Sequence, residues 1–104
     1  MLSETQLFEQ FSDQCIVVGT EQLFDHATAL EFLSLCKLHS FTILGIDFFD
    51  QIDVETRPTK ESADYSAISD ETDAIQKSYE AAFQLIRRGF PNGASYASFI
   101  VESA

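Results

Sequence analysis

The fold is decided by the stretch FTILGIDFF, residues 41–49, which is the longest apolar run in the chain. Strict alternation would place Phe41, Ile43, Gly45 and Asp47 on one side of a strand and the residues between them on the other. Both sides are mostly apolar, which is typical of a strand that is covered on both faces. The stretch therefore predicts the central strand of a sheet with helices packed against it. It also places one carboxylate, that of Asp47, inside the strand.

Three elements are predicted before this strand: a short helix at about residues 3–13, a strand at 15–18 and a core helix at 25–38. Ser3 and Gln6 form a capping-box pattern for the first helix. Asp25 is a suitable N-cap for the core helix, which is apolar around most of its circumference. The strand at 15–18, the core helix and the central strand together predict a right-handed βαβ unit.

Three elements are predicted after the central strand. They are an edge strand at residues 52–57, a helix from Ser69 or Asp70 to Arg88, and a last strand at 96–101. Apolar and charged residues alternate in the first of these, which is typical of a half-exposed edge strand, and its short connection predicts an antiparallel hairpin. Pro58 is expected to end that strand. Residues 58–68 follow neither the period of a strand nor that of a helix, so a loop is predicted there.

The composition fits one domain with its own core. The chain has 104 residues, of which 45% are hydrophobic and ten are Phe; such a chain buries roughly two-thirds of its unfolded surface. We therefore expect a single α+β domain over residues 1–104, with a small mixed sheet of about four strands, two long helices packed on it and a short N-terminal helix. No apolar run approaches the ~20 residues that cross a bilayer. The first residues also lack the features of a signal peptide, so the expected location is the cytoplasm.

The charge balance narrows the choice of partners. There are 17 acidic and 6 basic side chains, giving a net charge of −11. Such a field repels phosphate, so direct binding of nucleic acid or of an anionic membrane is not expected. It attracts a basic protein and speeds its association. The alternative is that the charge only keeps the protein dissolved.

Catalytic and metal-binding patterns are missing from the sequence. His26, Cys36 and His39 do not have the spacing of a zinc site. The acidic residues between Asp47 and Glu55 lack the glycine and the terminal glutamate of a calcium loop. Nucleophile elbows, P-loops and dinucleotide fingerprints are absent. We therefore predict no catalytic residue, no metal and no cofactor. Cys15 and Cys36 are expected to be reduced thiols.

One segment carries most of the acidic residues. Between Asp47 and Asp73 there are nine acidic and two basic residues, with Tyr65 among them. An acidic surface around an aromatic residue suits the binding of a basic protein, and the alternative is a solvated charged face. Glu4, Glu9 and Glu21 lie outside the segment and offer an equal charge for comparison. The predicted partner-binding residues are Asp50, Asp53, Glu55, Asp64, Tyr65, Asp70, Glu71 and Asp73.

Four local patterns occur in the order seen in one bacterial family: Gly45-x-Asp47, Pro58-Thr59, Ser78 with Ala81 or Ala82, and Phe99-Ile100-Val101. With them, the chain resembles over residues 27–102 the immunity proteins of polymorphic toxin systems, in particular immunity protein family forty. Tyr65 lies in the region where that family has a tryptophan, a residue this chain lacks. The resemblance implies a non-enzymatic cytoplasmic inhibitor that binds one cognate toxin and blocks its active site or its access to substrate.

The resemblance and the charge agree on a basic toxin, such as one whose surface holds nucleic acid. Gly45, Asp47 and Pro58 are assigned to the structural motif, since a carboxylate at the end of a buried strand is usually hydrogen-bonded to the backbone or to an arginine. Two other functions stay open: an acidic mimic of nucleic acid that occupies a DNA- or RNA-binding protein, and a small ligand-binding domain or enzyme. A mimic would spread its carboxylates in an extended double row, whereas an immunity protein would concentrate them with aromatic residues in one patch.

We expect the thermal midpoint of unfolding to be unchanged by EDTA and by dithiothreitol, because neither a metal nor a disulfide is assigned to the fold. Scanning calorimetry with and without each reagent measures this. A large drop with either one would contradict the assignment.

Overall fold

The structure is a computed structural model that describes residues 2–52, 55–70 and 72–103, with the backbone alone described at 51–52, 55–57, 59–61 and 69–70. Three helices and five strands are connected in the order α1 (Glu4–Glu9), β1 (Ile16–Val18), β2 (Glu21–Leu23), α2 (His26–Leu38), β3 (Phe41–Ile52), β4 (Glu55–Asp64), α3 (Ala74–Ile86) and β5 (Tyr96–Ser103). Short 3-10 turns occupy Ser66–Asp70 and Pro91–Gly93. The predicted α+β class, with two long helices and a short N-terminal one, is confirmed.

The predicted central strand is confirmed as β3, which lies between β4 and β5 in a three-stranded antiparallel sheet. Helices α2 and α3 pack against one face of that sheet. Beneath them lies a core of buried aromatic and aliphatic side chains, which includes Phe32, Phe41, Ile43, Ile46 and Phe48. Among the described residues no helix is both long enough and apolar enough to cross a membrane.

The strands are divided between two antiparallel sheets, so the predicted βαβ unit is not formed. The chain reverses at Gly19, whose φ is +63°, and β1 pairs with β2 in a hairpin of its own. The side chains of β1 are exposed, up to 64% at Val17, so this strand cannot be internal. Among the described residues, the main-chain bridge between this part of the chain and the larger sheet is the pair of Phe24, which follows β2, and Ala97. Because the tight turn brings β2 directly against β1, β1 pairs locally and not with β3.

The prediction that Pro58 ends a strand is wrong. The hairpin of β3 and β4 is antiparallel as predicted, but β4 continues through Pro58 to Asp64. Pro58 lies opposite Phe49 and Ser62 opposite Asp47, so the register shifts between these pairs. An edge strand with such an irregularity tolerates proline, because it loses no ladder hydrogen bond there. The predicted loop at 58–68 is therefore strand up to Asp64.

The long helices begin and end at identifiable residues. The Asp25 side chain accepts a hydrogen bond from the Thr28 N–H at 2.8 Å, which confirms the predicted N-cap of α2. Helix α3 begins at Ala74, later than predicted; Asp73 is its N-cap residue in a left-handed conformation (φ +62°), without a side-chain cap bond. The predicted bounds include Asp70 and Asp73, whereas Asp70 ends a 3-10 turn and Asp73 precedes α3. Gly89 follows the helix with φ +131°.

A β-bulge in the central strand is held by a serine of α3. The register of β3 against β5 shifts between Ile43 and Gly45. The Ile43 N–H donates instead to the buried Ser78 hydroxyl at 3.0 Å, and that hydroxyl donates to the Ile75 carbonyl at 3.2 Å. Because of the bulge, the core-facing positions of β3 change from odd numbers, such as Ile43, to even numbers, such as Ile46. The strict alternation predicted for this strand therefore ends at Leu44.

We expect Ser78→Ala to lower the free energy of unfolding by about 1–3 kcal/mol, because it leaves the buried Ile43 N–H without a hydrogen-bond acceptor. Urea denaturation measures this. The matched control is Ser34→Ala, which removes an exposed helical hydroxyl bonded to its own helix. Equal urea midpoints for the two variants would contradict the assigned role of Ser78.

We also expect Gly45→Val to destabilise the protein by about 1–3 kcal/mol through overpacking. A Cβ atom at Gly45 would lie 3.2 Å from the Ala63 carbonyl oxygen, so the backbone of β4 lies close to this position. Gly45→Ala is expected to fall between wild type and valine in urea midpoint. A valine variant as stable as wild type would mean that β4 moves away at no cost.

Candidate functional site

The predicted acidic segment is divided into two groups along the β3–β4 ribbon. Glu55 pairs with Ile52 at the end of the ribbon, whereas Asp64 pairs with Gly45 in the middle of β3. Seven residues of strand, about 23 Å, separate the two positions. Asp50 belongs to the first group. The elements are consecutive in the chain, but the sheet does not gather their carboxylates in one place.

The second group surrounds the chain as it leaves β4. The exposed Asp64 carboxylate accepts a hydrogen bond from the Ser66 N–H at 2.9 Å, and its bonds to Ser66 hold the pKa of that carboxyl below its usual range. Tyr65 packs partly against the core, and burial raises the pKa of its hydroxyl. Asp73 is exposed at the start of α3. Of Glu55 and Asp70 only the backbone position is described, and Asp53 and Glu71 lie outside the described residues.

A cleft of about 490 Å³ lies where the β1–β2 hairpin separates from β5. Phe24 is hydrogen-bonded to Ala97 in both directions, at 2.8 and 2.9 Å, and among the described residues no ladder continues this bridge between β2 and β5. The open space is lined by one face of α1, by residues 20–22 of the hairpin, by residues 98–100 of β5 and by Asp47. We call it the acidic cleft.

Carboxylates line the acidic cleft from three elements: Glu4 and Glu9 from α1, Glu21 from the hairpin and Asp47 from β3. Among the residues whose side chains are described, no Lys, Arg or His lines it. The three glutamates are exposed and Asp47 is partly buried. Four negative charges around one concave surface produce a field that attracts cations and repels anions.

Asp47 reaches the acidic cleft because of the bulge before it. Its register partners are Ser62 on β4 and Ser98 on β5, and paired residues of an antiparallel sheet share a face. That face is opposite the one on which Ile46 and Phe48 meet the helices. Asp47, which was assigned to the structural motif, is therefore also accessible from the cleft.

The remaining lining is apolar or hydroxylated, apart from the amide of Gln22. Phe8 is partly buried, and Ile100 is 56% exposed. Phe99 is buried, with its ring packed against Phe24 and Phe32. Ser12 and Ser98 add hydroxyl groups. The cleft therefore offers an apolar surface within a negatively charged border, which is the usual make-up of a protein-binding site.

The walls of the acidic cleft are held in place by specific bonds. Ser3 and Gln6 form the predicted capping box, which fixes the first turn of α1. The Gln22 side chain donates to the Phe8 carbonyl at 2.8 Å and so joins the hairpin to the helix. Buried Leu7 on α1 and buried Phe11 just after it anchor this part of the chain in the core. The cleft therefore exists before any ligand binds.

None of His26, Cys36 and His39, the candidate soft-metal ligands, lines the acidic cleft. His26 lies elsewhere, with its Nε2 atom 2.5 Å from the Ile86 carbonyl oxygen, and burial raises the pKa of the Cys36 thiol to about 12. Cys15 and Cys36 are both free thiols. Among the described residues no three His, Cys, Asp or Glu side chains are close enough together to hold a metal ion. The carboxylates of the cleft are thus distributed, which suits a ligand with several separated cationic groups.

Comparisons with protein-family models, with curated protein sequences and with solved structures gave no match. The resemblance to the immunity proteins therefore stays a prediction.

The sequence did not indicate the acidic cleft. Glu4, Glu9 and Glu21, taken as a comparison set outside the acidic segment, are brought together with Asp47 by the pair of Phe24 and Ala97. Nothing in the local pattern links residues so far apart along the chain. The one available signal was the carboxylate of Asp47 in an otherwise apolar strand.

Proposed function

We propose that this protein is a non-catalytic inhibitor that binds one basic partner protein, as the toxin-immunity proteins that it resembles do. The observation that carries the proposal is the acidic cleft, a preformed concave surface with four carboxylates, an apolar centre and no cationic side chain in its lining. The partner's basic surface would be covered when it binds, and an active site on that surface would be blocked.

The distribution of charge supports this proposal. Four of the six basic residues have described side chains, and none of these four lines the acidic cleft. Lys37 and Lys77 lie on the helices, and Arg87 and Arg88 follow the end of α3. The Lys37 ammonium lies 4.9 Å from the centre of the Tyr79 ring on the helical layer. A basic partner is therefore steered toward the cleft and away from the helices.

The described acidic residues favour a protein inhibitor over a mimic of nucleic acid. A mimic needs an extended double row of carboxylates on one surface. Asp47 and Asp50 are three residues apart on β3, so their side chains point to opposite faces of the sheet. A concave acidic surface around apolar side chains suits a folded protein partner better than it imitates a duplex.

The first experiment is co-expression in a bacterial host with the product of the gene that neighbours this one. We expect that product alone to arrest growth and this chain to restore growth by forming a stable complex with it. The proposal is overturned if the neighbouring product does not arrest growth, or if growth is not restored.

The second experiment places the interface with matched charge reversals. Glu9→Lys with Glu21→Lys changes the acidic cleft, whereas Glu31→Lys with Glu80→Lys changes exposed helical positions by the same net charge. We expect the cleft pair to weaken binding to the co-purified partner by about tenfold or more, mainly through slower association. We expect the helical pair to have a smaller effect, because charges farther than about 8 Å are screened at physiological salt.

A third pair, Asp64→Lys with Asp70→Lys, tests the predicted acidic segment in the same assay. A larger loss of affinity for this pair than for the cleft pair would move the interface to the segment. Equal losses for all three pairs would mean that only the total charge matters.

A further inference from the structure

The acidic cleft contains an unpaired strand edge. Phe24 pairs with Ala97 of β5 through two main-chain hydrogen bonds. The main-chain N–H and C=O groups of a strand alternate between its two edges. The N–H and C=O of Ala97 point away from β3, so those of Phe99 do as well, while Ser98 between them faces β3. Phe99 therefore presents a donor and an acceptor to the cleft.

No other described segment uses that edge. Among the hydrogen bonds between described residues outside the helices and sheet ladders, none involves the Phe99 main chain. Beyond the bridge of Phe24 and Ala97 no ladder joins β2 to β5 among the described residues, and residues 20–22 line the cleft together with Phe99. The Phe99 ring is buried in the core, so its main chain is the part that faces the open space. The cleft is thus a place where a strand is missing beside β5.

We infer that the partner binds by adding an extended, basic segment as a new strand along β5. This inference rests on the proposed function and specifies how its partner is recognised. Strand addition supplies main-chain hydrogen bonds, and alternate side chains of the added strand supply specificity. The carboxylates of Glu4, Glu9, Glu21 and Asp47 require cationic side chains in that segment, and exposed Ile100 favours apolar ones between them.

The probe is a capped six-residue peptide of alternating Lys and Val, which in extended form spans about 20 Å. Two analogues carry N-methyl groups at every odd or every even position, and a third replaces each Lys by Glu. An added strand bonds to β5 along one of its edges only. We therefore expect one N-methylated analogue to bind about tenfold more weakly than the parent and the other to bind nearly as well. The acidic analogue is expected not to bind.

Amide hydrogen exchange tests the strand addition a second time, without comparing the affinities of the peptide analogues. In the free protein we expect the Phe99 amide to exchange faster than those of Ser98 and Ile100, which face β3. Saturating Lys-Val peptide is expected to slow exchange at Phe99 and to leave a distant buried amide such as that of Phe32 unchanged.

The outcomes separate this inference from the proposed function. Equal binding of both N-methylated analogues would mean that the contact is electrostatic only, and the strand addition would be overturned. A Phe99 amide that is as protected as Ser98 in the free protein would show that the edge is already covered, with the same consequence. Either result leaves the growth-rescue experiment unaffected. Conversely, the peptide could bind to the strand edge while the chain fails to restore growth. That result would overturn the toxin as the partner and keep the strand addition.

Discussion

The hydrogen bond from the Ile43 N–H to the buried Ser78 hydroxyl fixes the point at which the central strand changes face. Before this bulge the odd-numbered side chains of β3 meet the helices, and after it the even-numbered ones do, beginning with Ile46. Without the bulge, Gly45 and Asp47 would face the helical layer, and a carboxylate would be buried among phenylalanines at a cost of several kcal/mol. The serine therefore serves two purposes: it satisfies a buried donor, and it allows one strand to fill the core while presenting Asp47 to the acidic cleft.

Much of the secondary structure could be predicted because its signals are local. The capping box of α1, the Asp25 cap of α2 and the two-sided apolar run of β3 each depend on residues within a few positions of one another. The structure confirms all three. The continuation of β4 past Pro58 had no such signal. An edge strand needs main-chain pairing with its neighbour rather than a side-chain period, so its extent is determined by β3 and not by its own sequence.

The acidic cleft is a tertiary feature, and the count of charges along the sequence pointed to a different part of the chain. Counting charges along the sequence favoured the segment from Asp47 to Asp73, because its nine acidic residues are close together along the chain. Folding spreads that segment along about 23 Å of ribbon, while the single pair of Phe24 and Ala97 brings α1, the hairpin and β5 around one space. Density of charge along a chain and density of charge on a surface are different quantities, since a strand extends its residues and a turn gathers them.

The same carboxylates give the open edge of β5 its selectivity. An unpaired strand beside an exposed residue such as Ile100 is a template for pairing with any other chain, including a second copy of this protein. A second copy also carries a net charge of −11, so like-charge repulsion across the acidic cleft opposes self-association. A basic segment meets the opposite field and gains both the main-chain bonds and the charge attraction. Specificity is a difference between affinities, and one set of charges here lowers the affinity for the wrong strand while raising it for the right one.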